Sequence, residues 1–395
     1  MKSIILAGAL CATAMPALAG GLYLDAGLLD GGPGRDEKPL VALDTVYGLN
    51  ATAGDLALRY SERRNMAEAE PHERGLYLMS AGALTFAFQR ANAIIIGHEG
   101  AHFHTAGLHG RTEHRFMTSG GDTVSWLSAY GKALLTGHAD AIAASRGAAN
   151  TPTERVVANN AGLNWQSDYA ERMLRRGFAG QDLSVFSAAD YLLNANYWLL
   201  YSAKDKRKDR PFNQGGDPQD LAEYLEAQHG IEGALDDMVK WSALSFLLSS
   251  ANWQAFSSLN GYVQNAETGL FDGKLTWSVL NYGYEDSFSV APMAHLRAGD
   301  GQGSWIGGVE TSVIGDSWTE VQLGAVRHYE KTSFEGIVTL GKDGALLEFG
   351  ADYQVTDRLA VVGRATVALD GETRRGGRLA PDGDDVFQIG LAYRF

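Results

Sequence analysis

His98, Glu99 and His102 carry the spacing His-Glu-x-x-His. In a helix, residues four apart share a face, so both imidazoles can reach one cation. Glu99, next to the first imidazole, leans toward the open coordination position. A carboxylate placed there takes a proton from water and later returns it to a leaving group. Zinc suits such a site, because it accepts imidazole ligands and brings the pKa of a coordinated water near neutrality. The pattern alone arises by chance in roughly one chain of this length in a hundred, so its surroundings carry weight. It follows the apolar run Ile94-Ile95-Ile96 and precedes Gly107 and Gly110. The bland alternative is a helix whose two histidines are only hydrogen-bonding groups.

The elements that must position these residues are legible from periodicity and breakers. The motif helix is expected from about Leu76 to Ala106, and the next from Asp122 to about Ser145. Thr151-Pro152-Thr153-Glu154 opens a third, with proline in the first turn and an acid behind it, running to about Arg176. Further helices are expected over Ser184–Ala203, from Asp217-Pro218 to Gly230, and over Gly233–Leu259. Lys204 to Arg210 is mixed in sign and reads as a solvated loop. Met117-Thr118-Ser119-Gly120-Gly121 is either a glycine strand or loop beside a substrate or a plain turn. Weak alternation at Gly21–Ala26 and Leu40–Tyr47 leaves strands or packing segments open.

From about residue 272 the period changes to two. Eight antiparallel strands are expected: Leu275–Tyr282, Ser287–Leu296, Trp305–Ile314, Thr319–Tyr329, Ser333–Leu340, Ala345–Val355, Leu359–Leu369 and Val386–Phe395. In the last, Phe387, Ile389, Leu391, Tyr393 and Phe395 share a face. Such an ending resembles the final strand of Gram-negative outer-membrane β-barrels, which implies apolar residues outside and a polar interior. Glu310 and Glu348 must then face inward. A soluble β-sandwich alternates in the same way.

The chain has 395 residues, 48 of them glycine and 9 proline, and a formal net charge of −14. That charge repels phosphate backbones, and no basic face overrides it, which argues against a nucleic-acid partner. Lys2, the apolar stretch Ile4–Met15 and Ala17-Leu18-Ala19 read as a secretory signal cut after Ala19. The one cysteine, Cys11, would leave with it, so the exported protein would have no thiol chemistry.

The motif resembles that of the zincin metallopeptidases. The resemblance covers only the helix around residues 94–106 and implies His98 and His102 as zinc ligands with Glu99 as general base. One large zincin group extends the motif to HExxHxxGxxH, but Thr105 and Leu108 stand in the last two places, so His109 matches poorly. The other takes a carboxylate from a later helix. Asp168, on the helix opened by Pro152, is the expected third ligand. Glu171, Gln166, His138 (with Asp140) and His109 are the alternatives. Asp168 and Glu171 share a face with Asn164 and Arg175, and a plainly solvated face reads equally well. Asn159 and Gln166 fall among apolar residues and either line the site or tie helices together.

The expectation is an α+β protein. A signal occupies residues 1–19, a mainly helical zinc-hydrolase domain 20–262, and an eight-stranded antiparallel domain resembling a small barrel 272–395. It would hydrolyse peptide or protein substrates at Zn2+, with the helices on the periplasmic side of an outer membrane. The competing expectations are a structural or binding protein with a non-catalytic motif, and a zinc hydrolase of lipid or cell-wall amide bonds.

Overall fold

Alternation places eight strands in the C-terminal third, and all eight are present. They are β5 (Leu275–Gly283), β6 (Ser287–Arg297), β7 (Gly303–Gly315), β8 (Thr319–His328), β9 (Thr332–Leu340), β10 (Gly344–Gln354), β11 (Leu359–Gly371) and β12 (Val386–Arg394). The computed structural model describes residues 21–25, 39–66, 68–109, 111–118, 122–136, 141–147, 151–178, 185–205, 216–259, 275–298, 302–356, 359–379 and 386–394. The expected signal, the His138/Asp140 pair and Phe395 lie outside the described residues.

The sheet is antiparallel and gains a ninth strand from the start of the chain. β1 (Gly21–Asp25) pairs with β12 in the register Gly21 opposite Arg394. The order is β1-β12-β11-β10-β9-β8-β7-β6-β5. The expected closed barrel is corrected here, because β1 and β5 are the two edges and no ladder joins them among the described residues. All the described helices but one enter the chain between these two edge strands, and some of them pack against the edges. Three of them, α6 (Pro152–Phe178), α10 (Ala234–Leu248) and α11 (Ser250–Leu259), lie against β5, while α1 (Pro39–Arg63) lies against β1.

From β7 to β12 many apolar residues face outward, although Ile306, Val326, Ile337, Leu346 and Val362 are buried inside. Trp305, Leu323, Phe334, Phe349, Tyr353, Phe387 and Ile389 are exposed, while Glu310, Gln322, Thr339, Glu348, Arg364 and Thr366 are buried on the other face. Glu310 and Glu348 therefore face inward as the alternation requires. No described helix is long and apolar enough to cross a membrane.

The motif helix is not one regular helix. It runs as α2 (Pro71–Tyr77), a π turn (Leu78–Gly82), α3 (Ala83–Ala91), a second π segment (Asn92–His98) and α4 (Glu99–Leu108). The expected Asp122–Ser145 helix is also corrected. Only α5 (Trp126–Thr136) is helical; Ala141–Gly147 is β4, which pairs with β2 (Arg111–Thr118), as does β3 (Thr123–Val124). A free strand edge at β2 overrides the helix preference of Ala-Ile-Ala-Ala. The expected Ser184–Ala203 helix is two, α7 (Val185–Ala195) and α8 (Tyr197–Asp205), parted at Asn196, and the expected Gly233–Leu259 helix is likewise two, α10 and α11, parted at Ser249; α9 (Asp217–His229) is stopped by Gly230 with φ 68° as expected. α12 (Arg374–Leu379) is a short helix between β11 and β12 that packs against α1, α6 and β11.

The centre of the molecule is α6. Trp165 and Tyr169 stack at 5.1 Å and join Ile96, Leu43, Tyr191, Leu280 and Tyr282 in the main core. Each such large side chain contributes about 1.5–3 kcal/mol by leaving water. The charged face of α6 is not solvated. Glu171 is buried between Arg175 and Arg375, Glu348 accepts from Arg375, and Arg378 pairs with Glu310 at 3.0 Å. Burial alone would raise Glu171, but the two arginines hold it well below the usual carboxylate range.

Candidate metal centre

The π segment ends on His98, with the Glu99 backbone N–H donating to the Ile94 carbonyl five residues back. This extra residue per turn, a feature often found at functional sites, leads straight into α4, which carries His102. α6 crosses this helix at Gly162. A Cβ there would stand 2.6 Å from His102 Nε2 and 2.7 Å from His98 Nδ1. Only glycine admits the two imidazoles so close to the α6 backbone.

Asp217, the first residue of α9, completes the group. Its Oδ2 lies 3.4 Å from His98 Nε2 and 3.5 Å from His102 Nε2, and the two Nε2 atoms are 3.1 Å apart. For a tetrahedral zinc with bonds near 2.0–2.1 Å, ligand atoms stand about 3.3–3.4 Å apart. The three atoms therefore form one face of a tetrahedron of the right size. Asp217 also sits at a helix N-terminus, where the dipole favours a carboxylate.

Hydrogen bonds fix which imidazole nitrogens are free. Asp190 can only accept, so the Asn194 amide nitrogen donates to it at 2.9 Å. Asn194 Oδ1 then accepts from Gln166 Nε2 at 3.4 Å, and Gln166 Oε1 accepts from His98 Nδ1 at 3.0 Å. His102 Nδ1 donates to the Ala158 carbonyl at 2.7 Å. Both Nδ1 atoms thus carry the proton, and both Nε2 lone pairs point at each other and at a carboxylate oxygen. Asp217 Oδ2 is itself buried with no hydrogen-bond donor. Three converging lone pairs with no donor between them fit a cation. Burial pushes His102 down, yet with no cation present the Asp217 charge raises it to about 9, so Nε2 then holds a proton that a bound metal would displace; the two histidines in turn hold Asp217 well below its ordinary value.

Glu99 is buried beside this group, and its charge bears on His102, Tyr197 and Tyr201. The Tyr197 and Tyr201 rings stand 5.8 and 6.4 Å from that of His98. Burial, reinforced by Asp217 and Glu99, pushes Tyr197 up to about 12 despite Arg90 and raises Tyr201 as well, so both keep their hydroxyl protons.

Of the residues singled out by sequence, His98, Glu99 and His102 are together and Gln166 supports His98. Asp168 is not a ligand here. It lies on another side of α6 with Oδ2 3.6 Å from Arg378 Nε, held there by the arginines of α12. Glu171 belongs to the arginine cluster, and His109 is 3.9 Å from Glu154. Asn159 donates to Asp220 at 2.6 Å, tying α6 to α9. Met117 and Thr118 end the strand β2, and Ser119, Gly120 and Gly121 lie outside the described residues. Asp217 was missed because Asp-Pro is a sufficient helix start in its own right. Its one distinguishing local signal is the Gly-Gly pair just before it. No family model, no curated protein and no solved structure matches the chain.

Proposed function

We propose that the protein is a zinc-dependent hydrolase of peptide bonds, resembling the zincin metallopeptidases, with His98, His102 and Asp217 as ligands and Glu99 as general base. The carrying observation is the triangle of His98 Nε2, His102 Nε2 and Asp217 Oδ2 at 3.1–3.5 Å. Three protein ligands leave a fourth position open, which is the catalytic rather than the structural pattern. A zinc ion there would polarise the scissile carbonyl and acidify water. Glu99 would take the water proton and pass it to the leaving amine. The protonated Tyr197 and Tyr201 can donate to oxygen charge that develops beside His98. Gln166 and the Ala158 carbonyl would hold the imidazoles in the ligating tautomer.

The inverted sheet supports a seat in a lipid bilayer. Exposed Trp305, Leu323, Phe349, Phe387 and Ile389 oppose an inner face that buries Glu310, Glu348 and Arg364 beside apolar residues, as in outer-membrane proteins. The expected address is the outer membrane, with a secretory signal at residues 1–19. Extraction only by detergent agrees with this; a protein soluble after washing at high salt does not.

The test of the enzyme reading is zinc content after mild dialysis, followed by Glu99→Gln against casein, a lipid amide and peptidoglycan. The expected result is one zinc per chain in both proteins and a loss of about 10²–10⁴ in casein hydrolysis in the variant. Cleavage of lipid or peptidoglycan instead would move the substrate class. The second reading is a non-catalytic metal anchor, favoured by the burial of His98 and Glu99. Zinc retained with no hydrolysis in the wild-type protein would select it.

A further inference from the structure

A cavity of about 880 Å³ lies between α4, α6 and one end of the sheet, where the β5–β6, β7–β8 and β9–β10 turns meet α12. None of His98, Glu99, His102 or Asp217 lines it. It faces a different side of the same two helices, and its volume is that of a small-ligand site.

Its wall is acidic, with seven carboxylates against three lysine or arginine side chains. The arginines are already neutralised. Arg374 pairs with Asp286 and stands 3.4 Å from Glu285; Arg378 is claimed by Glu310 at 3.0 Å. Arg374 also shows what the wall can hold, because its guanidinium lies 5.6 Å from the ring centroids of both Tyr284 and Trp318. Carboxylates flanking aromatic faces are the usual surroundings of an organic cation. Asp168, more than nine-tenths buried, lines the cavity. Its Oδ1 has no hydrogen-bond partner, and its Oδ2 is 3.6 Å from Arg378 Nε, beyond hydrogen-bond distance. A buried carboxylate oxygen without a donor is costly unless something supplies one.

We propose that this cavity is a binding site, separate from the metal centre, for a primary ammonium or guanidinium group, with Asp168 as the carboxylate that receives it. The cation could belong to a basic peptide or to a small free amine. Burial keeps Asp168 above the ordinary carboxylate range, only partly offset by Arg378 and Arg375, so a further cation is welcome there.

The experiment is calorimetric titration of the full chain with agmatine, with an arginine-containing tetrapeptide, and with neutral butyramide. Agmatine or the peptide should bind in EDTA-treated protein as tightly as in untreated protein. Asp168→Asn should weaken that binding by about tenfold or more, and raised salt should weaken it further. Binding of the peptide alone would assign the site to a peptide; binding of both would assign it to the free cationic group. No binding of either, equal binding of butyramide, or unchanged affinity in Asp168→Asn overturns the proposal. If Asp168→Asn fails to fold, Asp316→Asn with Asp343→Asn at the exposed mouth replaces it. A drop of about threefold or more in agmatine or peptide affinity is then expected, and unchanged affinity overturns the proposal. Because the readout persists without metal, its failure leaves the hydrolase reading untouched.

Discussion

Gly162→Ala is the most direct test of the metal centre, because it changes neither a ligand nor the general base. The added Cβ would stand 2.6 Å from His102 Nε2, 2.7 Å from His98 Nδ1 and 2.8 Å from His98 Cε1, where ordinary contact begins at 3.4 Å. The rings must retreat by about 0.6–0.8 Å, whereas metal sites tolerate about 0.2 Å in ligand distance. Zinc affinity should fall roughly 10–100-fold, or about 1.4–2.7 kcal/mol. Folding should suffer less. Alanine gains about 1 kcal/mol over glycine inside a helix, against an overpacking cost of about 1–3 kcal/mol. The assay is competition with a zinc chelator of known affinity, alongside urea unfolding of the metal-free protein. Gly131→Ala is the control. It lies within α5 with nothing inside 4 Å, so it should stabilise by about 0.5–1 kcal/mol and leave zinc binding alone. Wild-type zinc affinity in Gly162→Ala would refute the placement of both imidazoles against α6.

Asp217→Ala should lose zinc by about 100-fold or more, while Asp168→Asn keeps it; elemental analysis of both separates the structural assignment of the third ligand from the sequence expectation. Arg375→Met leaves Glu171 and Glu348 short of their shared cation, so chemical denaturation should show a loss of about 3–5 kcal/mol.

The C-terminal sheet was readable strand by strand because pleat alternation depends only on neighbours two residues apart. All eight boundaries fall within two residues of the alternation. The same local logic located His98 and His102 on one face of a helix. It failed at Ala141–Gly147, where an open strand edge outweighs helix preference, and at the π segments, whose extra residue per turn leaves no mark in the apolar spacing.

The sequence by itself determined two imidazoles and a carboxylate at helical spacing, and an inward-facing row of charge along the later strands. Tertiary structure alone decided the rest. Asp217 is 115 positions beyond His102 in the chain, and α9 brings it to the imidazoles by packing against α6. Asp168 and Glu171 look like a solvated face until α12 supplies Arg375 and Arg378. In both cases the deciding partner lies far along the chain. Charge complementarity across such a separation leaves no periodic trace, whereas hydrogen bonding within a turn or a pleat does.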